Sequence, residues 1–237
     1  MVPEKPLDLS KLSPNEFKLI KRLDRQQEDM VIKLYNKKRV ITDAKAGSGK
    51  TTVMTQAMKA LLDKGYIKQV YYVLFPVQEK ALGYIPGGIS DKTREYAVPF
   101  VDALIEAGVN PQTLILEDMC NPLIMGDFKI VPHTFLRGRT IKDAGIIIDE
   151  IQNGTLDELK KTLTRVDDSC YVAMTGHNGQ KDIKNSGFAA MKHHFKQGVL
   201  SGEFPEIAFA ELHKNYRGAF STFADKLGEY PTQEGKE

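Results

Sequence analysis

The amino-acid sequence predicts an α/β protein, a parallel β-sheet flanked by helices, and three observations carry that expectation. Short apolar runs alternate with longer amphipathic stretches from Val40 onward, and strands that alternate with helices pair in parallel through right-handed crossovers. A glycine-rich turn joins the first apolar run to the first long helical pattern, and an acidic pair closes a later run. At 237 residues the chain suits one such domain with a full core.

The elements follow in order. Prolines at 3, 6 and 14 make the start a loose lead-in, and Ser13-Pro14-Asn15-Glu16 reads as a helix start, serine capping and proline in the first turn. Phe17, Ile20, Leu23, Met30, Val31 and Leu34 then recur among charges up to Tyr35, the pattern of one or two amphipathic helices. Val40-Ile41 is a short strand, and a helix opens at Gly47-Ser48-Gly49, runs to about Leu62 and stops at Lys64-Gly65. Val70 to Phe75, Thr113 to Leu116, Gly145 to Ile148 and Tyr171 to Met174 are buried strands. Lys92 to Ala107 and Leu156 to Arg165 are the clearest helices between them. A last unit runs from a strand at Ile207 to Ala210 into a helix at Ala219 to Leu227. The organisation expected is a helical lead-in over 1–36, the α/β domain over 37–228 and a flexible tail over 229–237.

Composition narrows the class. Apolar residues at 41% and charged residues at 27% exclude a largely disordered chain. No apolar run is long enough to span a bilayer, and Met1-Val2-Pro3-Glu4-Lys5 lacks the apolar stretch of a signal peptide, so a cytoplasmic protein without a membrane role is expected. Cys120 and Cys170 are too few for a disulfide framework or a zinc site and read as reduced thiols. A net charge of +2 neither demands nor excludes a nucleic-acid partner. Local basic clusters, Lys18 to Arg25, Lys37-Lys38-Arg39 and Arg137 with Arg139, are solvated faces unless a partner covers them.

Ala44-Lys45-Ala46-Gly47-Ser48-Gly49-Lys50-Thr51, followed by Thr52, stands between a strand and a helix, as a phosphate-binding P-loop requires. Glycines 47 and 49 let amide hydrogens point inward, and the helix N-terminus favours phosphate charge. Lys50 is placed to reach the β- and γ-phosphates of ATP and Thr51 to ligate Mg2+. Ala44 replaces the first glycine of the usual pattern, a mild departure because the later glycines build the turn.

Gly145-Ile146-Ile147-Ile148-Asp149-Glu150 supplies the second element, an acidic pair at a strand end. Asp149 would hold the metal through its water shell and Glu150 would orient the attacking water, since phosphoryl transfer relies on positioning and charge stabilisation. The competing reading of such a pair is an ordinary helix cap. Gln152, Thr175 and Gln180 are uncharged candidates for sensing the γ-phosphate. Arg217, in Asn215-Tyr216-Arg217, could act as an arginine finger in its own subunit or a neighbour's, or form a simple salt bridge. His177 and His193-His194 lack metal-ligand company and read as loop or surface histidines.

Taken with these motifs, Phe135-Leu136-Arg137-Gly138-Arg139-Thr140, Leu82-Gly83-Tyr84-Ile85-Pro86-Gly87, Pro99 with Asp102-Ala103-Leu104, and Ser186-Gly187-Phe188 make the chain resemble the PhoH-like, phosphate-starvation-inducible ATPase family after residue 20. The resemblance implies a RecA-like ATP-binding domain related to the core of superfamily 1 helicases. It also implies that Gln27 reads adenine, its amide offering a donor and an acceptor, with Gln26 as the alternative. Three departures stand out: Ala44, Phe75 before Pro76 where the family usually has arginine, and His177 where aspartate is usual. The stretch ahead of the P-loop is too short for a fused nuclease domain, and none is expected there.

The function expected is an ATPase acting on single-stranded RNA or DNA. A lone RecA-like lobe cannot ratchet along a strand, so a motor built on it would be a homo-oligomer, a hexameric ring being one such assembly. The alternative is a nucleotide-gated protein-interaction switch with slow hydrolysis. A small-molecule kinase fits less well, because the glutamines and the Asp-Glu pair have no arginine-rich lid beside them.

Overall fold

The computed structural model describes residues 22–76, 89–110, 114–116, 127–177, 179 and 183–227, with the side chains of 89–96 and 114–116 outside that description. Within it the chain forms a sheet of seven strands: β1 Arg39–Ala44, β2 Gln69–Leu74, β3 Leu114–Leu116, β4 Phe128–Pro132, β5 Ala144–Ile148, β6 Tyr171–Gly176 and β7 Ala208–Leu212. Their order across the sheet is β3-β4-β2-β5-β6-β1-β7, every described pairing is parallel, and the α/β expectation is met. Because all strands point one way, their carboxyl ends share one edge, where chemistry in such sheets collects.

The helices are α1 Arg25–Lys37, α2 Lys50–Asp63, α3 Ile89–Glu106, α4 Leu156–Leu163, α5 Phe188–Ser201 and α6 Ala219–Ala224. On one face of the sheet Met30, Leu34, Met54, Leu61, Phe100 and Leu104, from α1, α2 and α3, pack against Val40, Tyr72 and Ile147. On the other, Leu159, Phe188 and Met191, from α4 and α5, pack against Ile41, Ile146 and Ile148. Side chains alternate across a strand, so neighbouring residues of β1 and β5 feed both cores. α1 is part of the first core, so the lead-in helix and the sheet share their packing.

Local chemistry explains the boundaries. α1 begins at Arg25 because Asp24 caps it, accepting from the backbone N–H groups of Gln26 and Gln27 at 2.8 Å each, while Gln27 Oε1 accepts from Asp24 N at 3.2 Å. The Ser13-Pro14 start lies outside the described residues, as do the 82–87 segment, Cys120, Gln180 and the 229–237 tail. α4 starts on the same reciprocal device between Thr155 and Glu158. β4 and α5 have no assignment in the sequence reading. The final strand is shifted from 207–210 to Ala208–Leu212, carried onward by pairing with β1 as far as Ala44.

Candidate nucleotide site

Three strand ends meet at this edge. β1 leads into the turn Lys45 to Gly49, whose Gly47 and Gly49 hold φ of 72° and 75°, a region where a β-carbon clashes with the backbone. Gly49 caps α2, so the free amides of that helix open onto the turn. Ala44, where the usual pattern has glycine, ends β1 with its methyl inside the first core. The turn borders a cleft of about 870 Å³. Its walls are Gly47 to Thr52, Arg22 and Gln27, residues 99, 102, 103 and 106 of α3, and Tyr216 with Arg217.

Asp149, one residue past β5, is buried and accepts from every donor around it. Thr51 Oγ1 donates at 2.5 Å, Thr175 Oγ1 at 2.5 Å, Glu150 N at 2.9 Å and Tyr72 OH at 3.3 Å. Register explains the meeting with Thr175, because Ile148 of β5 lies beside Met174 of β6. Lys50 Nζ stands 2.5 Å from Glu150 Oε1 and 3.9 Å from Asp149 Oδ1. Burial alone would lower the Lys50 pKa, yet the two carboxylates raise it above the usual value, so the ammonium persists at neutral pH. Burial, with Asp149 and Glu150 adding to it, also pushes Tyr72 well up, and it remains a phenol.

Glu150 has φ 50°, a left-handed conformation unusual for a residue with a β-carbon, and it turns the chain from β5 into the 3-10 turn Ile151–Asn153. Its second oxygen accepts from Gln152 Nε2 at 2.5 Å. Gln152 is buried, and its Oε1 accepts from His177 N at 3.1 Å. That places Gln152 between two loops rather than free in the cleft.

The loop after β7 closes the site from above. Tyr216 N donates to Gly47 O at 2.8 Å, Tyr216 OH donates to Asp24 Oδ2 at 2.5 Å, and Arg217 N donates to Asn215 Oδ1 at 2.8 Å. Arg217 borders the cleft close enough for its charge to oppose that of Lys50. Gln27 Nε2 donates to Ser48 O at 3.0 Å, whereas Gln26 Oε1 accepts from His213 N. Gln27 therefore faces the P-loop and Gln26 faces the end of β7. Arg137 and Arg139 are exposed beyond β4, and His193 and His194 are exposed on α5. Phe75 stays in the second core, its ring stacked on His133 at 4.6 Å.

These residues fit a phosphate chain and a divalent ion. Ser48 Oγ is buried without a hydrogen-bond partner beside the N-terminus of α2, where the first amides of a helix have no intrahelical acceptor. Thr51 and Asp149 offer the hard oxygen donors that Mg2+ takes. Sequence reasoning misses Tyr72, Asp43 and the link from Tyr216 to Asp24, because each depends on a partner distant in the chain.

The sequence profile of a family described as PhoH-like protein matches residues 19–215, most of the chain. The chain belongs to the PhoH-like family. A PhoH-like protein of Mycobacterium bovis is 32% identical over 197 residues, covering 76% of this chain and 53% of its own length. A PhoH-like protein of Bacillus subtilis is 32% identical over 156 residues, 64% of this chain and 47% of its own length. Protein PhoH of Escherichia coli K12 is 30% identical over 174 residues, 70% of this chain and 47% of its own length. The chain spans about half the length of these relatives. PhoH-like membership, with the parallel sheet, supports a nucleotide-binding protein of the P-loop, ATPase-like kind. Among the described residues no helix is long and apolar enough to cross a membrane.

Proposed function

We propose that the protein is an ATPase that binds Mg-ATP at the turn from Ala44 to Thr52, acts on single-stranded nucleic acid in the cytoplasm, and works as a homo-oligomer. The observation that carries the reading is the convergence of Lys50, Thr51, Asp149 and Glu150 within hydrogen-bonding reach at the mouth of an amide-lined turn. Lys50 and the amides of 47–52 would take the phosphates, and Thr51 with Asp149 would hold Mg2+, which supplies charge neutralisation between the phosphates. Glu150 would orient the attacking water and accept its proton. Gln27, beside Ser48, would read the base, and Gln180 would sense the γ-phosphate. Arg217, at the exposed rim, would neutralise charge on the transferred phosphoryl, within one subunit or across two.

The test is ATP turnover with and without RNA and DNA oligonucleotides, beside Lys50→Ala and Glu150→Gln. Lys50→Ala should weaken nucleotide binding. Glu150→Gln should bind ATP at least as tightly as wild type while hydrolysis falls by about 10²- to 10⁴-fold. Normal turnover in Glu150→Gln would remove Glu150 from its role. Turnover indifferent to oligonucleotides, with ATP-dependent capture of a protein, would favour a nucleotide-gated switch, for which the engagement of both Glu150 oxygens in this structure is the supporting feature. Mixing Lys50 and Arg217 variants tests the subunit question, since rescue requires the arginine to act in trans.

A further inference from the structure

Beyond the P-loop and the acidic pair, one run of hydrogen bonds links the ends of β1, β5 and β6. Asp43 is the next-to-last residue of β1, on the strand face opposite Ala44, toward α5. Its Oδ2 accepts from Lys192 Nζ at 2.7 Å and its Oδ1 lies 3.0 Å from His177 Nδ1. A carboxylate only accepts, so Nδ1 carries the proton and the ring orientation is set. Burial raises the Asp43 pKa, but the bonds from Lys192 and His177 more than offset it, and the carboxyl is held below its usual value.

The backbone of the same histidine reaches the other way. His177 N donates to Gln152 Oε1, and Gln152 Nε2 donates to Glu150. His177 thus donates at both ends, from Nδ1 to Asp43 and from its backbone N–H to Gln152, and the amide of Gln152, accepting at Oε1 and donating at Nε2, carries the link on to Glu150. It has little slack. A β-carbon on Gly176 would fall 2.8 Å from Gln152 Oε1 and 2.8 Å from Ile151 Cγ2, so the approach of the two loops depends on the bare glycine. A β-carbon on Gly179 would fall 3.0 Å from His177 Nε2. Glu150 itself sits in the left-handed region, which persists when surrounding contacts hold it.

We propose that His177 is a positioning residue for hydrolysis: tied to Asp43 beside the P-loop, it holds Gln152, and Gln152 aims Glu150. This rests on the reading of Glu150 as the water-orienting base. The His177 and Asp43 side chains are 27% and 22% exposed, and a single hydrogen bond adds only modestly to global stability. Their loss therefore registers in the rate, where a small displacement of a reacting group is costly.

Steady-state ATP turnover and thermal unfolding of the full chain test this with four single variants and one double variant. His177→Ala should lower kcat by about tenfold or more while KM for ATP stays within about twofold. His177→Asn, whose side-chain amide can still donate to Asp43, should recover most of the rate. Gln152→Ala should fall at least as far as His177→Ala, and combining the two should cost nothing further, because both cut one link. A kcat for His177→Ala within about twofold of wild type, or losses that multiply in the double variant, would overturn the proposal. So would a fall in Tm of more than about 5 °C, which would make the pair a folding contact. Glu150→Gln is the fourth variant and separates the two readings. If it turns over normally, the base assignment fails; if it is inactive while His177→Ala is fully active, only the positioning role fails.

Discussion

Gly47→Ala tests how tightly the P-loop and the β7–α6 loop are fitted together. At φ 72° an alanine costs about 1–2 kcal/mol from backbone sterics alone. Its β-carbon would also sit 2.4 Å from Asn215 Oδ1 and 3.1 Å from Arg217 Cγ. Asn215 cannot turn away freely, because Oδ1 accepts from Arg217 N at 2.8 Å and Nδ2 donates to Ser221 Oγ at 3.0 Å. Giving up both bonds costs about 1 kcal/mol each at most, less at this partly exposed rim. The sum lies between about 1 and 4 kcal/mol. Urea unfolding of Gly47→Ala, Asn215→Ala and the pair measures it. In the pair the asparagine is already gone, so the double variant should be more stable than the two separate losses imply, by about 1 kcal/mol or more. Strict additivity would mean that the two loops do not press on each other, and the fit described for the roof of the cleft would be wrong.

Three other outcomes follow from named contacts. Thr175→Val keeps the shape of a buried side chain but removes its bond to the Asp149 carboxylate, so it should destabilise by about 1.5–3 kcal/mol in chemical denaturation; no measurable change would refute that bond. Gly187 has an ordinary φ of −84°, yet a β-carbon there would meet Leu156 N at 2.4 Å, so Gly187→Ala should lose about 1–3 kcal/mol through steric overlap at the start of α4, and a Tm equal to wild type would count against that packing. Burial, aided by the bond to Asp24 and its charge, pushes the Tyr216 hydroxyl up to about 12 from 10.0. A raised pKa means that the native state holds the proton more tightly than the unfolded chain. The advantage of wild type over Tyr216→Phe should therefore be full below pH 10.0 and vanish as pH rises through about 12. An advantage that does not change across that window would dissociate Tyr216 from Asp24.

What the sequence discloses about this molecule is what is local in it. The P-loop is legible because a turn with two left-handed positions, a lysine and a hydroxyl must be contiguous to cradle phosphate, and Ala44 to Thr51 is contiguous. Asp149 and Glu150 are legible for the same reason, at the end of an apolar run. The strand Phe128–Pro132 is not, because Lys129 and Pro132 interrupt its pattern and its identity comes from pairing between β3 and β2. Tyr72 reads as one more apolar strand residue; only the crossing of β5 beside β2 brings its hydroxyl to Asp149. The chain gives no sign that His177 will meet Asp43, since parallel pairing of β1 with β6 is what aligns Asp43 with Gly176.

The position of Lys50 connects these features into one argument about timing. Its ammonium now neutralises Glu150, and the same ammonium is the group a phosphate chain at the P-loop would compete for. On the proposed reading, arrival of the nucleotide and release of the base are then a single event, because Lys50 cannot hold a carboxylate and a γ-phosphate in one geometry. Gln152 holds the other oxygen of Glu150 independently of Lys50, so a carboxylate freed from the ammonium would keep its orientation while losing its counter-charge. The consequence is asymmetric: Lys50→Ala removes a phosphate ligand and also frees Glu150 from its ammonium, whereas Glu150→Gln leaves the lysine only its longer approach to Asp149, at 3.9 Å. Nucleotide affinity should thus rise slightly in Glu150→Gln relative to wild type, since the shorter of the two Lys50 ion pairs no longer has to be broken first, and a weaker affinity measured by titration would refute the competition.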